Sequence, residues 1–252
     1  MTLSTEIGAY NTIKMTGLLM KQIVRNALFS LGLIAIAQSA TASDTAKVVG
    51  DAKAGQAKAA VCGACHGMDG NSLAPNFPKL AGQGERYLIK QIHDIKAWDT
   101  ETNPAKKDAA GRAVLEMTGL LANLNNQDIA DISAYFASQN TQLSGAKKME
   151  VQVNSGLKVD ALELGAKTYR NGNLANGVPA CTGCHAPDGK GNAAAGFPRL
   201  SGQHPDYIEK QLTNFRAGNR VNDGDTSPMR TIADKLSDAE IKAVANFIAG
   251  LN

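Results

Sequence analysis

The sequence predicts an all-α protein built as two tandem copies of one small domain. Apolar residues recur at helical spacing along the chain, no stretch alternates convincingly as a strand would, and the second half repeats the first. Cys62, Cys65, His66, Asp69 and Gly70 fall on Cys181, Cys184, His185, Asp188 and Gly189 with one constant offset. After a slip of one residue, Phe77, Pro78, Leu80, Gly82, Gln83, Tyr87, Lys90 and Gln91 fall on Phe197, Pro198, Leu200, Gly202, Gln203, Tyr207, Lys210 and Gln211. Further on, Met117, Leu124 and Ile129 fall on Met229, Leu236 and Ile241.

The N-terminal section reads as an export label. Lys21 and Arg25 precede the short apolar run "ALFSLGLIAIA", and Ala40-Thr41-Ala42 offers the small residues that signal peptidase accepts, which predicts cleavage after Ala42. The run is shorter than the roughly 20 apolar residues that cross a bilayer. Residues 1–19 read as an upstream extension. The expected organisation is therefore 1–42 extension and signal peptide, 43–145 first domain and 146–252 second domain, with an irregular polar linker from Gln139 to Lys158.

Within each copy the helices follow in order. "GDAKAGQAKAAV" and "DALELGAKTYR" lead into the cysteine motifs with good helix formers. A second helix begins near Glu85 or Pro205. In the first copy it carries Tyr87, Leu88, Ile92 and Ile95 on one face. Ser237 with Glu240 reads as a capping box before the stripe Ile241, Val244, Phe247 and Ile248; Asn125 and Asp128 stand in those places before Ile129, Ile132, Tyr135 and Phe136.

Charge excludes one class of function. The first domain carries 10 basic and 11 acidic side chains and the second 13 and 11, so neither is a polycation suited to nucleic acid. A weak net field also predicts that docking to a partner depends modestly on ionic strength.

All four cysteines lie in two pentapeptides, "CGACH" and "CTGCH". C-x-x-C-H is the attachment sequence of c-type haem, with two thiols adding to the vinyl groups and the histidine binding iron. Three other readings compete. A thioredoxin-like pair needs a strand-helix context that neither copy has, and a four-cysteine zinc site does not separate its pairs by the 115 residues between Cys65 and Cys181. Disulfides explain neither histidine. A covalent haem at each motif also supplies the apolar bulk that domains with only 5% aromatic residues in the whole chain lack.

A second axial ligand decides whether such an iron is open to chemistry or closed for electron transfer. Met117 and Met229 stand 51 and 44 residues after their histidines at equivalent positions, and their soft sulfur suits haem iron. Met68 is too near His66, and Met149 lies in the linker. His93 and His204 occupy non-equivalent positions and read as surface or helix-start residues. The second ring N–H of each axial histidine needs a carbonyl acceptor, expected in the loop at Pro75 and Ala195.

With these residues in place, the chain from about Gly50 to Leu251 resembles the cytochrome c4 family, exported dihaem carriers made of two fused class I cytochrome c domains. The likeness is carried by "VCGACHGMDGNS", "APNFPKLAGQGERYL", "GRAVLEMTGLL", "PACTGCHAPDGKGN" and "NRVNDGDT". It implies two haem c groups attached at Cys62, Cys65, Cys181 and Cys184, with His66 and Met117, then His185 and Met229, as axial pairs. It also implies haems that face one another across a domain interface. Trp98, where the second copy has Gly218, and the helix start "LNNQD" depart from the pattern without touching a ligand.

The reading that follows is a periplasmic one-electron carrier without bond-making chemistry, and no catalytic residue is assigned. The resemblance implies a quinol-oxidising cytochrome complex upstream and a terminal oxidase or nitrogen-oxide reductase downstream. No membrane span remains after signal cleavage, so contact with a membrane would be peripheral. The alternatives are a dihaem subunit of a larger enzyme, such as a flavocytochrome c sulfide dehydrogenase, and a dihaem peroxidase with one open iron.

Overall fold

A computed structural model describes residues 48–252; the expected signal peptide and its cleavage site at Ala42 lie outside the described residues. The first repeat runs α1 (Ala52–Lys58), α2 (Ala60–His66), α3 (Glu85–Thr100), α4 (Pro104–Ala110), a 3₁₀ turn (Leu115–Met117) and α5 (Asn126–Ala137). Strands β1 (Glu150–Gln152) and β2 (Lys158–Asp160) follow. The second repeat continues with α6 (Ala161–Asn171), a 3₁₀ turn (Leu174–Asn176), α7 (Thr182–His185), α8 (Pro205–Arg216), α9 (Pro228–Asp234) and α10 (Asp238–Ala249).

In each repeat the first helix crosses the last, α1 on α5 and α6 on α10, and α3 or α8 closes the third side. Both last helices start as their sequences predict. Asn125 with Asp128 and Ser237 with Glu240 form complete capping boxes, satisfying N–H groups that would otherwise lack partners. The first core gathers Ala59, Leu88, Ile132 and Phe136, and the second Tyr169, Ile208, Val244, Ile248 and Leu251. The helix crossing is close because of glycine. A Cβ on Gly55 would strike the carbonyl of Asp131, and one on Gly165 that of Ala243.

The linker is more ordered than its polarity suggests. β1 and β2 pair antiparallel with Val151 opposite Val159, and Val151 is buried against Ala161, Ala239 and Ala243. Four apolar residues, Met149, Val151, Val153 and Val159, give the ribbon a face to bury among otherwise charged neighbours. Earlier in the linker, Lys147 exchanges two hydrogen bonds of 2.8 Å with the Asn246 side chain on α10, which fastens the chain along the second repeat.

Candidate haem sites

The first pentapeptide lies on α2, where Cys62 and Cys65, three residues apart, share a helical face. In the second, Cys181 is the N-cap of α7 and His185 its last residue. Cys62 and Cys181 are half-buried against the two cores, while Cys65 and Cys184 are exposed. All four thiols are free of disulfides. Burial pushes the Cys62 thiol up and the Cys181 thiol up to about 11, the opposite of the lowered value that an activated redox thiolate needs. Among the described residues no group of three or more His, Cys, Asp and Glu side chains gathers, so the cysteines do not converge on a shared zinc site.

Both histidines are buried and oriented from the same side. His66 Nδ1 lies 2.8 Å from the carbonyl of Pro78 and His185 Nδ1 lies 3.1 Å from that of Pro198. A carbonyl can only accept, so Nδ1 carries the proton and the Nε2 lone pair is left for a metal. Burial holds both imidazoles below their ordinary pKa, which favours this neutral form.

The acceptors are three residues beyond the expected Pro75 and Ala195. The cause is a tight return of the loop: Leu80 and Ala81 donate to the Gly70 carbonyl at 2.7 and 3.1 Å, and Leu200 and Ser201 to that of Gly189 at the same distances. Gly70 and Gly189 take φ of 77° and 69°, the left-handed conformation that glycine adopts without strain. Phe77 and Phe197 follow the fold of the loop, with ring centroids 6.2 and 6.5 Å from their imidazoles.

Met117 ends the 3₁₀ turn and Met229 stands in the first turn of α9, both half-buried. His93 is half-buried within α3. His204 is the N-cap of α8, a helix start as expected, but it is a buried residue rather than a surface one. Its Nε2 lies 3.0 Å from Ser72 Oγ in the other repeat and its Nδ1 lies 3.1 Å from Ser144 Oγ. Burial lowers its pKa.

Between the repeats lies a polar cluster that the sequence did not disclose. Arg112 donates to Gln91 of its own repeat at 2.8 Å and to Tyr207 and Gln211 of the other at 3.1 and 2.9 Å. Arg220 mirrors it, donating to its own Gln211 at 2.9 Å and to Tyr87 and Gln91 at 3.0 and 3.1 Å. Both guanidiniums are buried, and neither forms an ion pair among the described residues. Burial raises the Tyr207 phenol, but Arg112 and Arg220 outweigh it and leave the pKa below the ordinary tyrosine value. The symmetry was hidden because Arg112 precedes Met117 by five residues and Arg220 precedes Met229 by nine.

A duplicated helical fold, with one C-x-x-C-H motif and one carbonyl-anchored histidine in each half, defines a dihaem c-type cytochrome, a protein of electron transfer. A model of the cytochrome c family matches residues 52–140 and 162–252. Cytochrome c4 of Azotobacter vinelandii is 52% identical over 233 residues, 92% of this chain and 100% of that protein. A thiosulfate dehydrogenase electron acceptor of Stutzerimonas stutzeri (strain A1501) is 31% identical over 226 residues, 89% of this chain and 94% of that protein. The crystal structure of reduced recombinant cytochrome c4 from Pseudomonas stutzeri superposes with a TM-score of 0.73 at 56% identity, covering 81% of this chain and 100% of that one. The chain belongs to the cytochrome c4 family, and it carries two haem c groups.

Proposed function

We propose that the protein is a periplasmic shuttle taking single electrons from a quinol-oxidising cytochrome complex and passing them to a terminal oxidase or reductase, with both irons closed. The observation that carries this reading is the matched pair of buried histidines, each with Nδ1 bound to a proline carbonyl, together with one methionine at the equivalent position of each repeat. Haem c supplies reversible one-electron exchange at its iron.

The chain's own residues do the rest. Cys62 and Cys65 attach the first group and Cys181 and Cys184 the second, while His66 and His185 present Nε2 to the irons. Met117 and Met229 would supply the thioether sulfur that favours the reduced state and keeps small ligands off the iron. Leu115 and Leu120 stand exposed near Met117 in sequence, apolar side chains that a haem face would cover. Arg112 and Arg220, buried cations that form no ion pair among the described residues, would suit the anionic carboxylates of the haems, and Tyr87 and Tyr207 offer hydroxyl donors beside them. Because the cluster lies between the repeats, these residues would hold carboxylates of both groups at one shared polar site.

No bond-making step is assigned to any side chain. The signal-like N-terminus supports export, and the likeness to a thiosulfate dehydrogenase electron acceptor supports a carrier role. Adding carbon monoxide to the dithionite-reduced native protein tests closure. The spectrum should not change, whereas a carbonmonoxy spectrum from either haem would overturn the closed-iron reading and favour a peroxidase.

A further inference from the structure

Two glutamines at equivalent positions reach across the interface, each gripping the main chain of the other repeat. Gln203 Oε1 accepts from the Lys79 N–H at 2.9 Å, and its Nε2 donates to the Lys79 carbonyl at 2.9 Å. Gln83 Oε1 accepts from the Arg199 N–H at 2.8 Å, and its Nε2 donates to the Arg199 carbonyl at 2.9 Å. The N–H of residue 79 and the C=O of Pro78 belong to one peptide group, and so do the N–H of residue 199 and the C=O of Pro198. Those two carbonyls are the acceptors of His66 and His185.

Each glutamine therefore ends an unbroken chain that passes through a single peptide to the imidazole in the opposite repeat. Hydrogen bonds in series polarise one another, so acceptance at the N–H makes the C=O a stronger acceptor. A stronger acceptor at Nδ1 draws its proton, raises the basicity of Nε2 and stabilises ferric iron.

We propose that Gln203 is a positioning residue for the His66 haem and Gln83 for the His185 haem, so that each repeat sets the potential of the other's iron. The inference rests on the axial roles given above for the two histidines. The crossing is not fully symmetric. Beside Gln203, His204 Nε2 also approaches Ser72 Oγ and the Ser72 carbonyl at 3.0 Å, and Ser72 donates to the Phe77 carbonyl at 2.6 Å, just before Pro78. The residue equivalent to His204 is Gly84, which has no side chain to reach back. The second repeat's histidine loop is instead reached by Arg86, whose guanidinium donates to the Ala194 carbonyl at 2.6 Å, so each loop has a second anchor from across the interface but of different chemistry.

The test is a redox titration of the intact holoprotein with Gln203→Leu, Gln203→Glu, Gln83→Leu and Gln83→Glu. Paramagnetic shifts of backbone amides report each repeat's own haem. Gln203→Leu should raise the potential of the first repeat's haem and leave the second nearly unmoved, and Gln83→Leu should do the converse. Each Glu variant keeps an oxygen facing the N–H, so it should hold that potential at or below the native value. Shifts in the variant's own repeat, equal shifts at both haems, no shift, or a rise with Glu as large as with Leu would each overturn the proposal. Two bound haems with unmoved potentials would defeat this inference alone; loss of a histidine-bound spectrum in the native protein would defeat the reading beneath it.

Discussion

Asp131 shows how one side chain ties the beginning of the first repeat to its last helix. Its carboxylate accepts from the Asp51 backbone at 2.8 Å, from Lys58 at 2.6 Å and from Gln127 at 2.7 Å. These polar neighbours, with the Asp51 N–H foremost, hold its pKa at about 2 against an ordinary 3.8. A carboxyl depressed in the fold adds stability that is complete above its unfolded value and is lost as pH falls through the folded one. Chemical denaturation at pH 5 and near pH 2.5 should therefore show the native protein losing more stability than Asp131→Asn, and the gap between the two should narrow with acid. A constant gap would mean that the carboxylate contributes by shape alone.

Elements built from local signals were legible in the sequence, and those set by distant contacts were not. Capping boxes, apolar stripes and the C-x-x-C-H turns each sit within a few residues, so α5, α10 and the histidine positions could be read directly. The Pro78 and Pro198 acceptors were misplaced because the loop's return depends on long-range bonds to Gly70 and Gly189. The β1–β2 ribbon was missed because two three-residue strands gain their burial only against the distant helix α10 and the start of α6. Arg112 and Arg220 were passed over, and the burial of His204 was not foreseen, because none of the three occupies an equivalent place in the two copies. One element-scale consequence follows from the crossing of α6 and α10. Gly165→Ala forces a methyl into the Ala243 carbonyl, and overpacking of this kind costs about 1–3 kcal/mol. A urea midpoint lowered to that extent with both haems retained is expected, and an unchanged midpoint would show that the helices can separate freely.

At the scale of the whole molecule, two nearly equivalent electron-transfer units share one polar interface. Apolar packing inside each repeat keeps its own core, while glutamine, arginine and tyrosine side chains join the halves with directional bonds. Directional bonds fix the orientation of the repeats in a way that a greasy contact would not, and orientation governs the separation between redox centres. Each haem should nevertheless keep its own axial pair. The most direct measurement is the far-red sulfur-to-iron absorption band of Met117→Ala and Met229→Ala, followed through a redox titration. Each variant should lose about half of the band and lower one potential, since axial ligands tune haem potentials over as much as about 0.8 V. A variant that keeps the full band and both potentials would show that its methionine is core packing and that another side chain closes that iron.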